Sequence, residues 1–338
     1  MFKERAKVDI CAMIFSGVVG VVLAIKGFAY WGIVIQTVAN SLVGTVLRWY
    51  YVSWHPTLTF KIAPLKEMYV FGIKVFLTNV FSQINANIFS ILLGRFYKPE
   101  QVGYYTQGNK WMNMGYSFVW NMIGGVSLPV LTEVVADVKR QQNVFRKMLR
   151  FVSFISFPSM LGLALVAQEL IVIGVSDKWL PCVPIMQLLC VWGAVAPIGN
   201  LYSHVLLSHG KSELYLYCTI FLGVFQLIVV ICMLPFGVYY MVLAFVVVNI
   251  LWLFVWHYFV NKCIEVHVLD VLKDVLPFFS ITIAILGVTY FITKSIENIY
   301  MLFISKVIVA VFLYCMSMYL SNSVIFKESI SFLLKKNN

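Results

Sequence analysis

The sequence predicts an all-α integral membrane protein of about ten transmembrane helices, and three observations carry that reading. Of the 338 residues, 61% are hydrophobic and 12% are charged, about half the charged share of a soluble domain. The apolar residues gather into runs of the roughly 20 residues a helix needs to cross the hydrocarbon. The Lys and Arg residues concentrate in alternate inter-run segments, as retention of cations on the cytoplasmic side requires. A globule with so few charges could not clothe itself in solvated side chains, so lipid is the solvent for most of its surface. The net charge of +11 follows from topology. No basic stretch is long enough for a nucleic-acid footprint, and no nucleic-acid partner is expected.

The elements follow in chain order. A basic start, Phe2 to Lys7, leads straight into the first apolar run at 10–26 and reads as the inner flank of a retained helix. Further runs lie at 30–52, 68–93, 111–134, 149–175, 183–207, 214–235, 238–260, 271–293 and 298–320. The fourth is the least apolar, carrying Asn113, Asn121 and two glycines, and 94–110 before it reads as the longest outer loop. The seventh and eighth are parted only by Pro235-Phe236-Gly237, which predicts a tight helical hairpin. With the N-terminus inside, seventeen cationic residues fall on inner segments and six on outer ones, with Lys74 and Lys306 within spans. That bias puts both termini in the cytoplasm.

A weak internal repeat organises these runs. Displacing the chain by 209 positions lays Ala29-Tyr30-Trp31 on Val238-Tyr239-Tyr240 and Asn40 on Asn249. The first two helices then correspond to the seventh and eighth, and the period is six helices. Such a repeat implies a two-lobed transporter bundle. The expected division is 1–55 as the last two helices of an incomplete N-lobe, 56–262 as a six-helix C-lobe, and 263–338 as two extra helices and a tail.

The residues that could carry chemistry are few. The third run holds Lys74, Asn79, Gln83 and Asn87; the three amides recur every fourth position and share one helix face. Unpaired amides facing lipid are costly, so that face looks at protein, as interhelical hydrogen bonding, or at a watery cavity. Lys74 lies roughly 9 Å inside the cytoplasmic end, deep enough to meet an anion in a cavity and shallow enough to snorkel. Arg48, near the inner end of the second run, has the same two readings. Lys306 reads as a snorkelling anchor. Asn113, Tyr116 and Asn121 lie partly on one side of the fourth run, followed by Gly124, Gly125 and Pro129, which favour close packing and a kink.

The seven cysteines form no CxxC pair and the five histidines show no paired spacing. No metal and no cofactor are therefore expected. Walker, HExxH and GxSxG patterns are absent. The segments between runs are too short for a soluble catalytic domain, so the chain does not read as an enzyme.

Several segments carry a family likeness. The stretch Gly94-Arg95-Phe96-Tyr97-Lys98-Pro99-Glu100-Gln101-Val102-Gly103-Tyr104-Tyr105 resembles a loop of the bacterial polysaccharide flippases, the Wzx-type members of the MATE-like exporter superfamily. Leu128-Pro129-Val130-Leu131, Phe145-Arg146-Lys147-Met148-Leu149-Arg150, Phe157-Pro158-Ser159-Met160-Leu161-Gly162-Leu163 and Asp177-Lys178-Trp179-Leu180-Pro181 are similar to the same family's pattern. The resemblance implies a MATE-like two-lobed bundle, with about four more helices than the incomplete N-lobe here. It implies movement of an undecaprenyl-pyrophosphate-linked oligosaccharide between leaflets of the bacterial inner membrane. Membrane lipids, a polysaccharide polymerase and chain-length machinery would be the partners. On that reading Lys74, Arg48 and Arg95 meet the anionic head, and Asn79, Gln83, Asn87, Asn113 and Asn121 bind sugar. A cation-coupled exporter of the same superfamily would instead show an acid at a helix centre, and Glu169 lies near a helix end. An inactive fragment is the other alternative.

Overall fold

The computed structural model describes residues 2–51, 69, 87, 89–321, 323, 325–328 and 331, with side chains from residue 7 onward except at 29. Among these residues the regular structure is helical throughout. Two compact units divide between Lys74 and Val75.

The first unit contains the hairpin α1 (Phe2–Ile25) and α2 (Ala29–Tyr51). On α1, Val8, Ala12 and Ser16 recur every fourth position and are buried. They form a stripe of small residues that lets α2 approach. Gly20 extends the stripe, and a Cβ there would stand 2.5 Å from Gln36 Oε1. The turn is forced by backbone chemistry. Gly27 sits at φ 81, its N–H donates to Ala24 O at 3.1 Å, and that of Phe28 donates to Leu23 O at 3.0 Å. These two bonds satisfy carbonyls left over at the end of α1.

The second unit holds the helical segment 89–96 and eight helices. They are α3 (Pro99–Glu133), α4 (Val138–Leu165), α5 (Ala167–Gly174), α6 (Val183–Ser208), α7 (Ser212–Cys232), α8 (Val238–Ile264), α9 (Val268–Thr293) and α10 (Ile299–Leu320). The expected outer loop 94–110 is mostly helix. Pro99 stands at the first helical position behind an extended Lys98, and Glu100 lies in the first turn. Proline presets the helical φ and an acid suits the positive end of the helix. At about 1.5 Å per residue, α3 is ~52 Å long and outruns the ~30 Å hydrocarbon layer. Its amide- and glycine-rich sequence is why it reads as the weakest span.

Among the described residues, eight helices are long and apolar enough to cross a membrane. The third expected run falls largely outside the described residues, and α3 corresponds to the fourth. Helix α6 is the centre of this unit, packing on α3, α4, α7 and α8, and the buried core forms around it. Close approach rests on glycines. A Cβ on Gly108 of α3 would lie 3.2 Å from Met186 N and 3.3 Å from Cys182 O. Helix α6 ends like α1, with Gly210 at φ 70 and bonds from Gly210 N to Leu207 O and from Lys211 N to Leu206 O, both 3.0 Å.

Charge fixes the last two helices to the others. Arg146 on α4 donates to both oxygens of Asp274 on α9, at 2.6 and 3.3 Å, with Asp270 at 3.7 Å. Lys306 on α10 reaches Glu169 on α5 at 2.6 Å, with side-chain exposures of 8% and 5%. The lysine is therefore a buried ion-pair partner and not the snorkelling anchor expected from sequence. Its partner lies 137 positions away, and no local pattern signals the pairing.

Candidate functional site

A cavity of about 250 Å³ opens between four helices of the second unit. Met112, Asn113 and Tyr116 come from α3, and Trp192, Gly193, Ala196, Gly199, Asn200 and Ser203 from α6. Tyr215, Thr219 and Leu222 come from α7, and Asn249, Leu253 and Trp256 from α8. The lining runs from Tyr116, Thr219 and Asn249, near the middle of their helices, to Ser203 and Tyr215, near the ends of α6 and α7. The cavity exists because α6 presents small residues there. At Gly199 a Cβ would come within 3.2 Å of Leu253, and at Gly193 within 2.4 Å of Met160.

Among the described residues its walls are polar without being charged. None of the described lining residues is Lys, Arg, His, Asp or Glu. Asn200 Nδ2 donates to Tyr116 Oη at 2.7 Å, tying α6 to α3. Asn113 Nδ2 donates to Asn109 Oδ1 at 3.0 Å. Asn249 Nδ2 donates to Phe245 O at 2.7 Å. Ser203 and Thr219 return their hydroxyl protons to Asn200 O and Tyr215 O, each at 2.8 Å. Tyr215 and Trp256 hold a tilted ring pair, with centroids 5.8 Å apart. Fixed polar groups amid aromatic surface are the composition of a small-molecule site.

Past the cavity, a hydrogen-bonded plug closes one end of α3, α4 and α6. The fully buried Gln141 donates to Leu131 O at 3.1 Å and to Ser208 Oγ at 3.0 Å, and its Oε1 lies 2.9 Å from His209 Nε2. Leu131 O is among the carbonyls that the end of α3 leaves without helical partners. Ser127 Oγ and His204 Nδ1, 2.6 Å apart, make a second α3–α6 bridge.

The residues expected from sequence distribute unevenly. Asn113 lines the cavity and is joined there by Asn200 and Asn249. Asn121, two turns further along α3, is exposed and outside the lining. Arg95 is exposed at the end of segment 89–96, and Asn87 is exposed as well. Lys74, Asn79 and Gln83 lie outside the described residues. Arg48 belongs to the hairpin, where its Nη2 lies 2.9 Å from Asp9 Oδ1. Sequence reasoning missed most of the lining. Asn249 surfaced only through the repeat, and Trp192, Tyr215 and Trp256 sit in apolar helices where aromatics carry no signal of their own.

Eight helices long and apolar enough to cross a membrane among the described residues define a multi-pass membrane protein. A family model described as Polysaccharide biosynthesis protein matches residues 1–184, more than half of the chain, and the chain belongs to that family. It is similar to Teichuronic acid biosynthesis protein TuaB of Bacillus subtilis (strain 168), 27% identical over 227 residues, covering 64% of this chain and 45% of that protein. It is also similar to Lipopolysaccharide biosynthesis protein WzxC of Escherichia coli (strain K12), 25% identical over 188 residues, covering 52% of this chain and 36% of that one. The matches thus span less than half the length of these curated relatives. Among solved structures, "Lipid II flippase MurJ, inward closed conformation" shares the fold at a TM-score of 0.71 and 17% identity, covering 93% of this chain and 67% of that chain.

Proposed function

We propose that the chain translocates an undecaprenyl-pyrophosphate-linked oligosaccharide across the bacterial inner membrane for surface polysaccharide synthesis, with both termini cytoplasmic. The observation that carries this reading is the cavity between membrane-spanning helices whose described lining is amide-bearing, aromatic and uncharged. A hydrophobic drug would not call for so many fixed amides, and an ion would call for carboxylates or converging carbonyls. Family membership supports it, as do the names of TuaB, WzxC and the MurJ flippase. The cations Lys74, Arg48 and Arg95 meet the diphosphate, and the amides Asn79, Gln83, Asn87, Asn113 and Asn121 meet sugar hydroxyls. The working parts are 1–55, 56–262 and 263–338, and the lobes rock to expose the substrate to each side in turn.

The test is complementation of a bacterium lacking its own flippase of matched glycan specificity. The chain is expressed alone and with four N-terminal helices supplied, and surface polysaccharide is scored. Restoration by either form is the expected result, with Lys74→Ala inserting normally and restoring none. Failure of both forms despite confirmed insertion, or full activity of Lys74→Ala, overturns the assignment or the lysine's role respectively.

A further inference from the structure

We infer that the cavity between α3, α6, α7 and α8 is a subsite for a single neutral, hydroxyl-bearing sugar residue, and that the diphosphate of the substrate binds outside it. The inference rests on the transport reading above and specifies what this lobe recognises.

Three features point the same way. The first is size. At about 250 Å³ the cavity falls just under the range of about 300–1,000 Å³ typical of pockets that enclose a drug-sized ligand. It accommodates one ring of an oligosaccharide, with the remainder of the glycan lying beyond.

The second is hydrogen-bond polarity. Backbone carbonyls only accept, so Ser203 and Thr219 must be the donors in their bonds to Asn200 O and Tyr215 O. Each hydroxyl has one proton, and with that proton committed, each offers the cavity only lone pairs. A ligand meeting them must supply protons. Sugar hydroxyls do so; ionised phosphate oxygens cannot. Asn249, whose amide nitrogen bonds Phe245 O, retains its carbonyl oxygen and a second N–H, a donor–acceptor pair that matches a hydroxyl on both counts.

The third is charge. None of the described lining residues is cationic, so an anion entering would lose hydration with no counter-charge from them to replace it. Tyr215 and Trp256 add aromatic surface to the lining, which suits the apolar C–H groups of a sugar better than an anion. A diphosphate must therefore find its cations elsewhere.

The experiment uses the purified full chain in detergent, reading tryptophan fluorescence, since Trp192 and Trp256 line the cavity. The probes are a panel of neutral hexose trisaccharides and inorganic pyrophosphate. We expect at least one trisaccharide to give a saturable change that pyrophosphate does not displace. Thr219→Val, which keeps shape and removes the lone pairs, raises its Kd about fivefold, whereas Thr219→Ser stays within about twofold. Competition by pyrophosphate, no response to any neutral trisaccharide, or an unchanged Kd in Thr219→Val overturns the subsite. The two readings fail separately. A chain that restores polysaccharide but gives any of those results loses only the subsite. A chain that binds trisaccharide with the Thr219 dependence but fails complementation keeps the subsite and loses the transport assignment.

Discussion

The α1–α2 hairpin and the α7–α8 hairpin are built alike and equipped differently. Each reverses direction at a glycine with positive φ, Gly27 at 81 and Gly237 at 98, and the repeat pairs Asn40 with Asn249. Yet the first carries an ion pair, Arg48–Asp9, with side-chain exposures of 57% and 50%. The second contributes only neutral groups to a cavity wall, and the unit around it buries its Lys306–Glu169 pair almost completely. The hairpin's pair is thus accessible, whereas in the second unit the Lys306–Glu169 pair is buried and the exposed Lys147–Glu328 pair, at 57% and 50%, stands outside the cavity lining. An accessible cation can meet a diphosphate, and a charge-free wall can read hydroxyls.

The sharpest way to break this comparison is to remove one member of each ion pair. Lys306→Ala strands a buried carboxylate, whose Oε2 already has no partner among the described residues. It should cost about 3–5 kcal/mol. The loss would be read as a fall in thermal unfolding temperature in detergent, with substantial recovery in the double variant Lys306→Met, Glu169→Gln. Arg48→Ala should cost no more than about 1 kcal/mol, since exposed pairs contribute little. Equal losses from the two would erase the distinction between an accessible and a sequestered charge.

Glycine substitutions extend the contrast from charge to packing. Gly108→Ala pushes a methyl group against backbone atoms of Met186 and Cys182, which cannot rotate away, and should destabilise by about 1–3 kcal/mol. Gly20→Ala meets the amide end of Gln36, which can swing aside, and should cost under about 1 kcal/mol. Unfolding temperatures of the two variants measured side by side decide it. A larger loss at Gly20 would mean that the hairpin is as tightly built as the lobe.

Much of the fold was legible because bilayer crossing leaves a direct mark on sequence: a run of apolar residues of fixed length, and cations on one side. Helix α3 was only partly legible. Its N-terminal turns, Pro99 to Lys110, mix Gln, Tyr, Gly, Asn and Lys, and their helicity comes from a proline start and from packing on α6. Of the site, Asn113 could be picked out because an amide in an apolar helix needs a partner. Asn200, Ser203, Thr219 and Trp256 could not, since what makes them a site is the meeting of α6, α7 and α8 in space. The same holds for the Lys306–Glu169 pair. Local periodicity reports which face of a helix is polar, and only tertiary packing reports what that face meets.

Arg48 offers a functional version of the comparison with a smaller structural footprint. In whichever form of the chain restores polysaccharide, Arg48→Ala should lower transport about tenfold with little change in unfolding temperature. Asp9→Asn, which releases the guanidinium from its partner at 2.9 Å, should leave transport equal or higher. A transport loss in Asp9→Asn as large as in Arg48→Ala would assign the pair to hairpin architecture, and the diphosphate would need another cation.

The smallest expected effect is one of pH, and it too should separate the two regions. Residues 1–51 contain no histidine, whereas the C-terminal end of α6 carries His209 against Gln141. Burial, with a smaller contribution from Lys211, holds the His209 pKa below its ordinary value of 6.5. The folded protein therefore prefers the neutral ring, and the unfolded chain takes up a proton first as pH falls. The stability due to this contact is present above about pH 6.5 and is lost as pH drops from there through the lower folded-state value. Unfolding temperatures across pH 8 to 5 should decline in the acid half of that range, and His209→Gln should flatten the decline. An unchanged slope in His209→Gln would move the acid sensitivity to the half-buried His204 or the buried His257. A slope that persisted in full after all three histidines were replaced would take the acid sensitivity away from the imidazoles, and with it the contrast in pH response between the two regions.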